Sequence, residues 1–315
     1  MKDTPLVSIV ITSFNRLEDV KETIKRSGDI PYLNKEIIVV DGGSTDGTVE
    51  YLQSLEKEGK HKMVIIGENL GNCYTTNEGM KSAVGEFVFI IDDDCFLRPK
   101  TVQKTVDLFH SNPNLAAIGF GLKNPNINFS EEDYWKETDY EVKENQFNDS
   151  YQTMNYGSAS AYRRSVLIEV DFFDTSWDWS TGGEDNELNF KIIAHGYNSV
   201  LIPELVAYHK ISPATRDSDT FIVNCINSTI WLILKFYPGS LLLKNLFVMY
   251  YNCLYFSILY KKTLYMKGIT RSLKNASVML SYKHRMSYDV ALGVHLPIKW
   301  LFSHDRELES TKASS

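Results

Sequence analysis

Three consecutive aspartates, Asp92, Asp93 and Asp94, follow the apolar run Phe87-Val88-Phe89-Ile90-Ile91. Carboxylates this close repel one another and are costly to desolvate at the end of a buried strand. Side chains alternate along a strand, so Asp92 and Asp94 point one way and Asp93 the other. Two carboxylates facing the same way offer oxygen ligands to a hard divalent cation, Mg2+ or Mn2+. Such a cation would in turn hold a diphosphate. The competing reading is a solvated acidic turn. A second acidic cluster, Thr181-Gly182-Gly183-Glu184-Asp185-Asn186-Glu187, opens a helical stretch over residues 188–195 that ends at Gly196. Thr181 and Glu184 have capping-box spacing, and acids favour a helix N-terminus. Asp185 also has the chemistry of a general base, provided it faces a bound hydroxyl. Upstream, Trp177 and Trp179 have flat faces that can stack on a ring or fill a core.

The elements that would position these groups are strands alternating with helices. Residues 6–12, 36–40, 63–66 and 87–91 are runs of apolar, often β-branched residues, and runs apolar on both faces read as buried parallel strands. Helix-period segments lie between them at residues 17–26, 48–58 and 72–83, each preceded by polar or glycine residues suited to a helix start. This alternation predicts an α/β fold, an open and mostly parallel sheet flanked by helices. Ligands of such sheets sit beyond the carboxyl ends of the strands. At those ends stand Thr12-Ser13-Phe14-Asn15-Arg16, then Asp41-Gly42-Gly43-Ser44-Thr45-Asp46-Gly47, then Gly67-Glu68-Asn69-Leu70-Gly71-Asn72, and then the three aspartates. Each loop alone is ordinary turn chemistry. Neither GxGxxG nor GxxxxGK[ST] occurs, so a nicotinamide dinucleotide site or a P-loop has little support.

Composition narrows the function classes. The 315 residues are 43% hydrophobic and 23% charged, which excludes disorder as the main state, collagen-like repeats and a disulfide scaffold. A formal charge of −7 argues against nucleic acid as a partner. Cys73, Cys95, Cys225 and Cys253 are scattered without zinc-like spacing, which fits a reducing, cytoplasmic compartment. No signal-peptide pattern opens the sequence. The charge is split: residues 1–220 carry −15, whereas residues 221–300 hold ten Lys/Arg against one acid, Asp289, for +9. We therefore expect a catalytic unit over residues 1–220 and a basic helical appendage over residues 221–315. Two charge-free stretches, residues 220–234 and 245–260, are 15 and 16 long and are parted by Pro238-Gly239. Both fall short of a membrane span. Aromatic residues mixed with Lys and Arg suit helices lying at an anionic membrane surface; packing on the domain or on a second subunit, as in a homodimer, is the alternative.

Taken together and in order, these segments resemble the family 2 glycosyltransferases with the GT-A fold. The resemblance covers roughly residues 6–212 and rests on VSIVITSFNR, IIVVDGGSTDGT, ENLGNCYTTNEGM, FIIDDDC, GSASAYRRS followed by FFD, GGEDNEL, and the later His209. It implies that Thr12, Phe14 and Arg16 border the nucleotide base and phosphates. Asp41 would accept the N3–H of a uracil or thymine ring, and Asn69 and Gly71 would line the nucleotide pocket. The aspartate run would be the family's DxD motif, with Asp94 on the metal and Asp92 or Asp93 on ribose or metal. Asp185 would be the catalytic base, with Glu184 beside it at the nucleotide sugar. His209 would be a further metal or phosphate ligand, though a lone histidine after an apolar strand is more often structural. The implied activity is Mn2+- or Mg2+-dependent transfer of a sugar from a nucleotide-sugar donor, UDP or dTDP favoured, with inversion. The Gln-x-x-Arg-Trp motif of the family's processive synthases is absent, which points to transfer of a single sugar. The acceptor would be a saccharide or lipid-linked saccharide at the cytoplasmic face of the membrane, met by a loop within residues 124–155. A nucleotidyltransferase would show a basic glycine-rich loop after the first strand, which is not found. A non-catalytic sugar-nucleotide-binding module would tolerate loss of Asp185 or of the aspartate run, and both are present.

Overall fold

The sheet begins with β1 (Val7–Ser13), whose seven residues are all buried. It continues through β2 (Lys35–Asp41), β3 (Lys62–Ile65), β4 (Phe87–Asp92), β5 (Cys95–Leu97), β6 (Leu115–Lys123), β7 (Ala159–Arg163) and β8 (Asn198–His209). The helices between and after them are α1 (Leu17–Gly28), α2 (Thr48–Lys57), α3 (Asn72–Ser82), α4 (Thr101–Ser111), the short α5 (Pro125–Asn128) and α6 (Glu131–Trp135), α7 (Arg164–Glu169) and α8 (Glu184–Ala194). Five more follow: α9 (Ser218–Phe236), α10 (Gly239–Leu259), α11 (Leu264–Ser272), α12 (Ala276–Leu280) and α13 (Tyr288–Gly293). This computed structural model describes residues 4–59, 61–135, 157–175, 183–210, 218–294 and 296. Trp177, Trp179 and Thr181, and most of the expected acceptor loop, lie outside the described residues.

The strands form one sheet in the order β3-β2-β1-β4-β7-β6-β8-β5. Strands β3, β2, β1 and β4 run parallel, as the continuous apolar runs led us to expect. The second half of the sheet is mixed. β7 is antiparallel to β4 and β6, β6 is parallel to β8, and β5 is antiparallel to β8. The sequence signal for parallel strands ends at β4, because short runs such as Ala159–Arg163 carry too little pattern to fix direction.

Alternation along the strands divides the core in two. Ile9, Ile11, Ile37, Val39, Phe87, Phe89 and Ile91 face one layer, where Val20, Ile24, Leu52, Val102 and Val106 of α1, α2 and α4 cover them. Val10, Ile38, Val40, Val88 and Ile90 face the other, covered by Met80 of α3 and by Leu188 and Ile192 of α8. Helix α9 belongs to this second core: Ile226, Ile230, Ile233 and Phe236 are buried in the same cluster. Its Trp231 donates to the Ser272 carbonyl at 3.1 Å, tying α9 to α11. Helix α10 is different. Its 21 residues run beyond the charge-free stretch, so it is long and apolar enough to cross a membrane by length and composition, which corrects the expectation that this segment falls short of a span; Leu243, Phe247 and Ile258 are each 68–70% exposed. All four cysteines are free thiols.

Candidate active site

Register brings the strand ends to one rim. Thr12 stands opposite Asp92, Ser13 opposite Asp41, and Asp41 opposite Ile65. Asp92 continues the face of Val88 and Ile90, on the side of α8, while Asp93 continues the face of Phe89 and Ile91, on the side of α1. The contacts follow that division. Asp93 accepts from the Phe14 N–H at 3.3 Å, and its backbone carbonyl accepts from the Thr23 hydroxyl at 2.6 Å. Asp94 pairs with Arg16 and lies 3.2 Å from His209 Nε2. His209 is there because β5 pairs with β8 in a register that sets Cys95 opposite His209, and the Lys210 N–H closes on the Asp94 carbonyl at 2.9 Å.

Asp92, Asp94 and His209 place one ligand atom each within 4.8 Å of one another. Two carboxylate oxygens and an imidazole nitrogen suit Mn2+, and the oxygens alone suit Mg2+. The same three side chains are therefore a fitting donor set for a divalent cation. Burial and the neighbouring Asp94 push the Asp92 carboxyl up to about 6. Burial pushes Asp93 up to about 7 against the pull of the Arg16 cation. Asp94 is desolvated too, but the hydrogen bond and charge of His209 and the charge of Arg16 hold it below the usual carboxylate range.

Asp185 reaches the same rim from α8, on the side that Asp92 faces. Helix α8 starts at Glu184, with Gly183 as its N-cap at φ 114°. That is four residues before the apolar periodicity starts, and Gly183 takes the cap position that the capping-box spacing assigned to Thr181. The difference comes from the three acids Glu184, Asp185 and Glu187, which occupy the first turn, where the helix dipole favours them. Burial, then the charges of Glu184 and Asp92, push the Asp185 carboxyl well above its ordinary value. Between Asp185 and the aspartate run lies the pair Gly157-Ser158, just ahead of β7. A Cβ on Gly157 would come within 2.2 Å of Asp185 Oδ2, so only glycine leaves room for that carboxylate. The Ser158 carbonyl accepts the Asp92 N–H at 3.1 Å, its hydroxyl bonds the Asp92 carboxyl, and Ser158 Oγ lies 3.4 Å from His209 Nε2. Reasoning from sequence did not place these two among the site residues. Their signal was the glycine ahead of a short strand, and its meaning depends on β7 running antiparallel.

The remaining candidates sit at the carboxyl ends of β1 and β2 and in the loop that follows β3. Thr12 is buried at the end of β1, Phe14 is exposed, and Arg16 caps α1. Asp41 is fully buried. Its Oδ1 accepts from the Gly43 and Ser44 N–H groups at 2.9 and 2.8 Å, while Oδ2 has no hydrogen-bond partner among the described residues. A buried carboxylate oxygen left so is an acceptor awaiting a donor. Asn69 and Gly71 are exposed in the loop ahead of α3, where Asn69 Oδ1 accepts the Gly71 N–H at 3.0 Å. That loop adjoins the Asp41 loop: the Gly43 Cβ position lies 2.8 Å from the Glu68 backbone.

Residues 8–171, more than half of the chain, match the model of glycosyl transferase family 2. The chain belongs to glycosyl transferase family 2. Among curated relatives, an uncharacterized glycosyltransferase of Haemophilus influenzae is 31% identical over 124 residues, 39% of this chain and 38% of its own length. Poly-beta-1,6-N-acetyl-D-glucosamine synthase of Staphylococcus epidermidis is 26% identical over 209 residues, 64% of this chain and 49% of its own length. The matched part of the chain thus spans about half or less of these relatives. Solved structures share the fold across greater spans. The mannosyltransferase PcManGT of Pyrobaculum calidifontis, in complex with GDP-Man and Mn2+, superposes with a TM-score of 0.58 at 19% identity, covering 98% of this chain and 81% of its own. TarS of S. aureus, residues 1–349 in complex with UDP-GlcNAc, gives 0.53 at 20% identity over 72% of this chain and 66% of its own. The family 2 sheet of this chain therefore has the GT-A-like architecture of glycosyltransferases.

Proposed function

We propose that this family 2 chain is an inverting, metal-dependent glycosyltransferase that moves one sugar from a nucleoside diphosphate sugar to an acceptor hydroxyl. The observation that carries the reading is the meeting of Asp92, Asp94 and His209 with Asp185 across Gly157-Ser158 at one rim of the sheet. Asp92, Asp94 and His209 would hold Mn2+ or Mg2+, which when bound neutralises diphosphate charge and stabilises the leaving group. Asp185 takes the proton of the acceptor hydroxyl as its oxygen attacks the anomeric carbon. Its raised affinity for protons, a consequence of burial, suits that task. Attack from the face opposite the nucleotide inverts the configuration, and no second carboxyl is needed as an acid.

UDP or dTDP is the favoured nucleotide. Asp41 has one unmatched oxygen, Oδ2, which suits the single N3–H of a uracil or thymine ring; guanine presents two adjacent donors. Related folds hold UDP-GlcNAc in TarS and GDP-Man with Mn2+ in PcManGT. The absent Gln-x-x-Arg-Trp motif supports single transfer, as part of cell-surface polysaccharide assembly. The exposed apolar α10 and the +9 charge of residues 221–300 support a peripheral position at the cytoplasmic face of the membrane, near a lipid-linked saccharide acceptor.

The test is a thermal-shift screen of UDP-, dTDP- and GDP-sugars with and without Mn2+, followed by kinetics of Asp185→Asn. One uridine or thymidine donor should raise Tm only when metal is present. Asp185→Asn should cut turnover roughly 100- to 10,000-fold, the usual contribution of a general base, with donor affinity unchanged. Near-normal turnover in that variant, or donor binding indifferent to metal, would overturn the reading.

A further inference from the structure

A lysine in a protein core is uncommon unless its charge is met there. Lys235, near the end of α9, has a side chain only 4% exposed. Its ammonium lies 2.7 Å from Glu187 Oε1 and 2.8 Å from Asp174 Oδ2. Glu187 is itself 1% exposed and stands two residues after Asp185, in the same first turn of α8. Two residues along a helix turn the side chain by about 200°, so Lys235 grips the back of the turn whose front carries the base. Asp174 stands at the other end of the connection from α7 to α8, and its N–H reaches Glu187 Oε2 at 3.4 Å.

That end is held from other directions as well. The Asn77 side chain bonds both the carbonyl and the N–H of Phe173, at 2.9 and 3.0 Å. The Lys191 ammonium donates to the Phe172 carbonyl at 2.9 Å. Asp171 and Phe172 have positive φ angles of 59° and 49°, a conformation that persists only where surrounding contacts hold it. Lys235 also borders a cleft of about 760 Å³ on the far side of α8. With carboxylates within 2.8 Å on both sides, however, its charge is neutralised inside the protein rather than offered to a ligand.

We propose that Lys235 is a positioning residue for catalysis: it closes Asp174 onto Glu187, and this pins the first turn of α8 so that Asp185 faces the aspartate run. The proposal rests on Asp185 being the base. It makes α9, outside the residues that match the family model, a working part of the active site. Closing the two ends of a connection removes conformational freedom, and a catalytic group displaced by about 1 Å can lose on the order of 100-fold in rate. Removing the lysine takes the cation at 2.8 Å from half-buried Asp174 and leaves buried Glu187 with the longer Lys191 pair at 3.4 Å, which loosens this turn first. An arginine reaches both carboxylates with its fork and keeps the closure.

The experiment compares Lys235→Met, Lys235→Arg, Glu187→Gln and Asp185→Asn in the full chain. It measures release of nucleoside diphosphate from the donor chosen by the thermal-shift screen, the Kd of UDP with Mn2+, and amide hydrogen exchange at residues 184–188. Lys235→Met and Glu187→Gln should lower kcat at least tenfold, with donor KM and the UDP Kd within twofold of the parent. Exchange at residues 184–188 should accelerate in the same variants. Lys235→Arg should recover kcat to within threefold. If Lys235→Met does not fold, Glu187→Gln carries the test, because glutamine keeps the volume and Asp174 still meets the lysine. A folded variant with parental kcat, an equal loss of UDP affinity, or failure of arginine to rescue would overturn the proposal. Asp185→Asn separates the two readings. If it is active, the base assignment fails. If it is inactive while Lys235→Met and Glu187→Gln turn over normally, only the role of Lys235 fails.

Discussion

Asp92, Asp93 and Asp94 are chemically identical and adjacent in sequence, yet they meet three different surroundings. Asp93 turns toward α1 and takes the Phe14 N–H. Asp92 turns toward α8 and takes the Ser158 hydroxyl. Asp94 is held by His209 and Arg16. Their acidities diverge accordingly, with Asp92 pushed up to about 6 and Asp93 to about 7 by burial, and Asp94 held low. Linkage gives the sign. A carboxyl with a folded pKa above its unfolded one favours the fold when protonated. The contribution of Asp92 and Asp93 to metal-free stability is therefore present below about pH 4 and lost as pH rises toward about 7. Cation binding needs the ionised form. The gain in Tm from saturating Mn2+ should therefore be small at about pH 5 and large at about pH 7.5, which differential scanning fluorimetry at matched ionic strength would read. A gain independent of pH would count against Asp92 as a ligand. The pairing of Asp92 with Asp94 could be anticipated from strand alternation. His209 was expected there only through the family resemblance, because local pattern carries no sign of a strand pair between residues more than a hundred apart.

At the scale of elements, the strand ends carry the site and the helices set how firmly it is held. Helix α3 lies unusually close to the sheet. A Cβ on Gly79 would meet Val10 Cγ1 at 2.4 Å and Val40 Cγ2 at 2.8 Å, so the helix rests on two strands through a glycine. Gly79→Ala should cost about 1–3 kcal/mol through overpacking, read as a lower urea midpoint with an unchanged m-value. A stabilised variant, as helix propensity alone would give, would show that α3 can lift away without penalty. The first four strands and their helices were legible because continuous apolar runs and capped, periodic segments are local patterns. The start of α8 was not: its first turn is acidic rather than apolar, so periodicity placed the helix at residue 188 when it begins at Glu184. Gly157 and Ser158 were quoted within a motif, but their role follows from β7 lying antiparallel beside β4, which aligns Ile91 with Ala159.

For the whole molecule, the basic C-terminal segment read from the sequence is not uniform in its packing. Helix α9 is packed into the main core, whereas α10 presents Leu243, Phe247 and Ile258 outward beside Lys244, Lys261 and Lys262. An exposed apolar face flanked by lysines matches an anionic lipid surface. The full chain should co-sediment with vesicles containing phosphatidylglycerol and much less with phosphatidylcholine alone. Salt at about 1 M should weaken this binding by screening the lysines. Phe247→Glu with Ile258→Glu should abolish it while leaving the response to UDP with Mn2+ intact. A protein that ignores anionic vesicles at low salt would refute the membrane reading.

By itself the sequence determined the α/β architecture, the parallel first half of the sheet and the rim at which acids gather. These follow from patterns a few residues long: apolar runs, alternation and caps. Only the tertiary structure decided that His209 joins Asp92 and Asp94, that Gly157 clears space for Asp185, and that Lys235 holds the turn bearing it. Each of these depends on strand direction or helix packing between distant segments, and contacts of that kind leave no periodic trace in the chain.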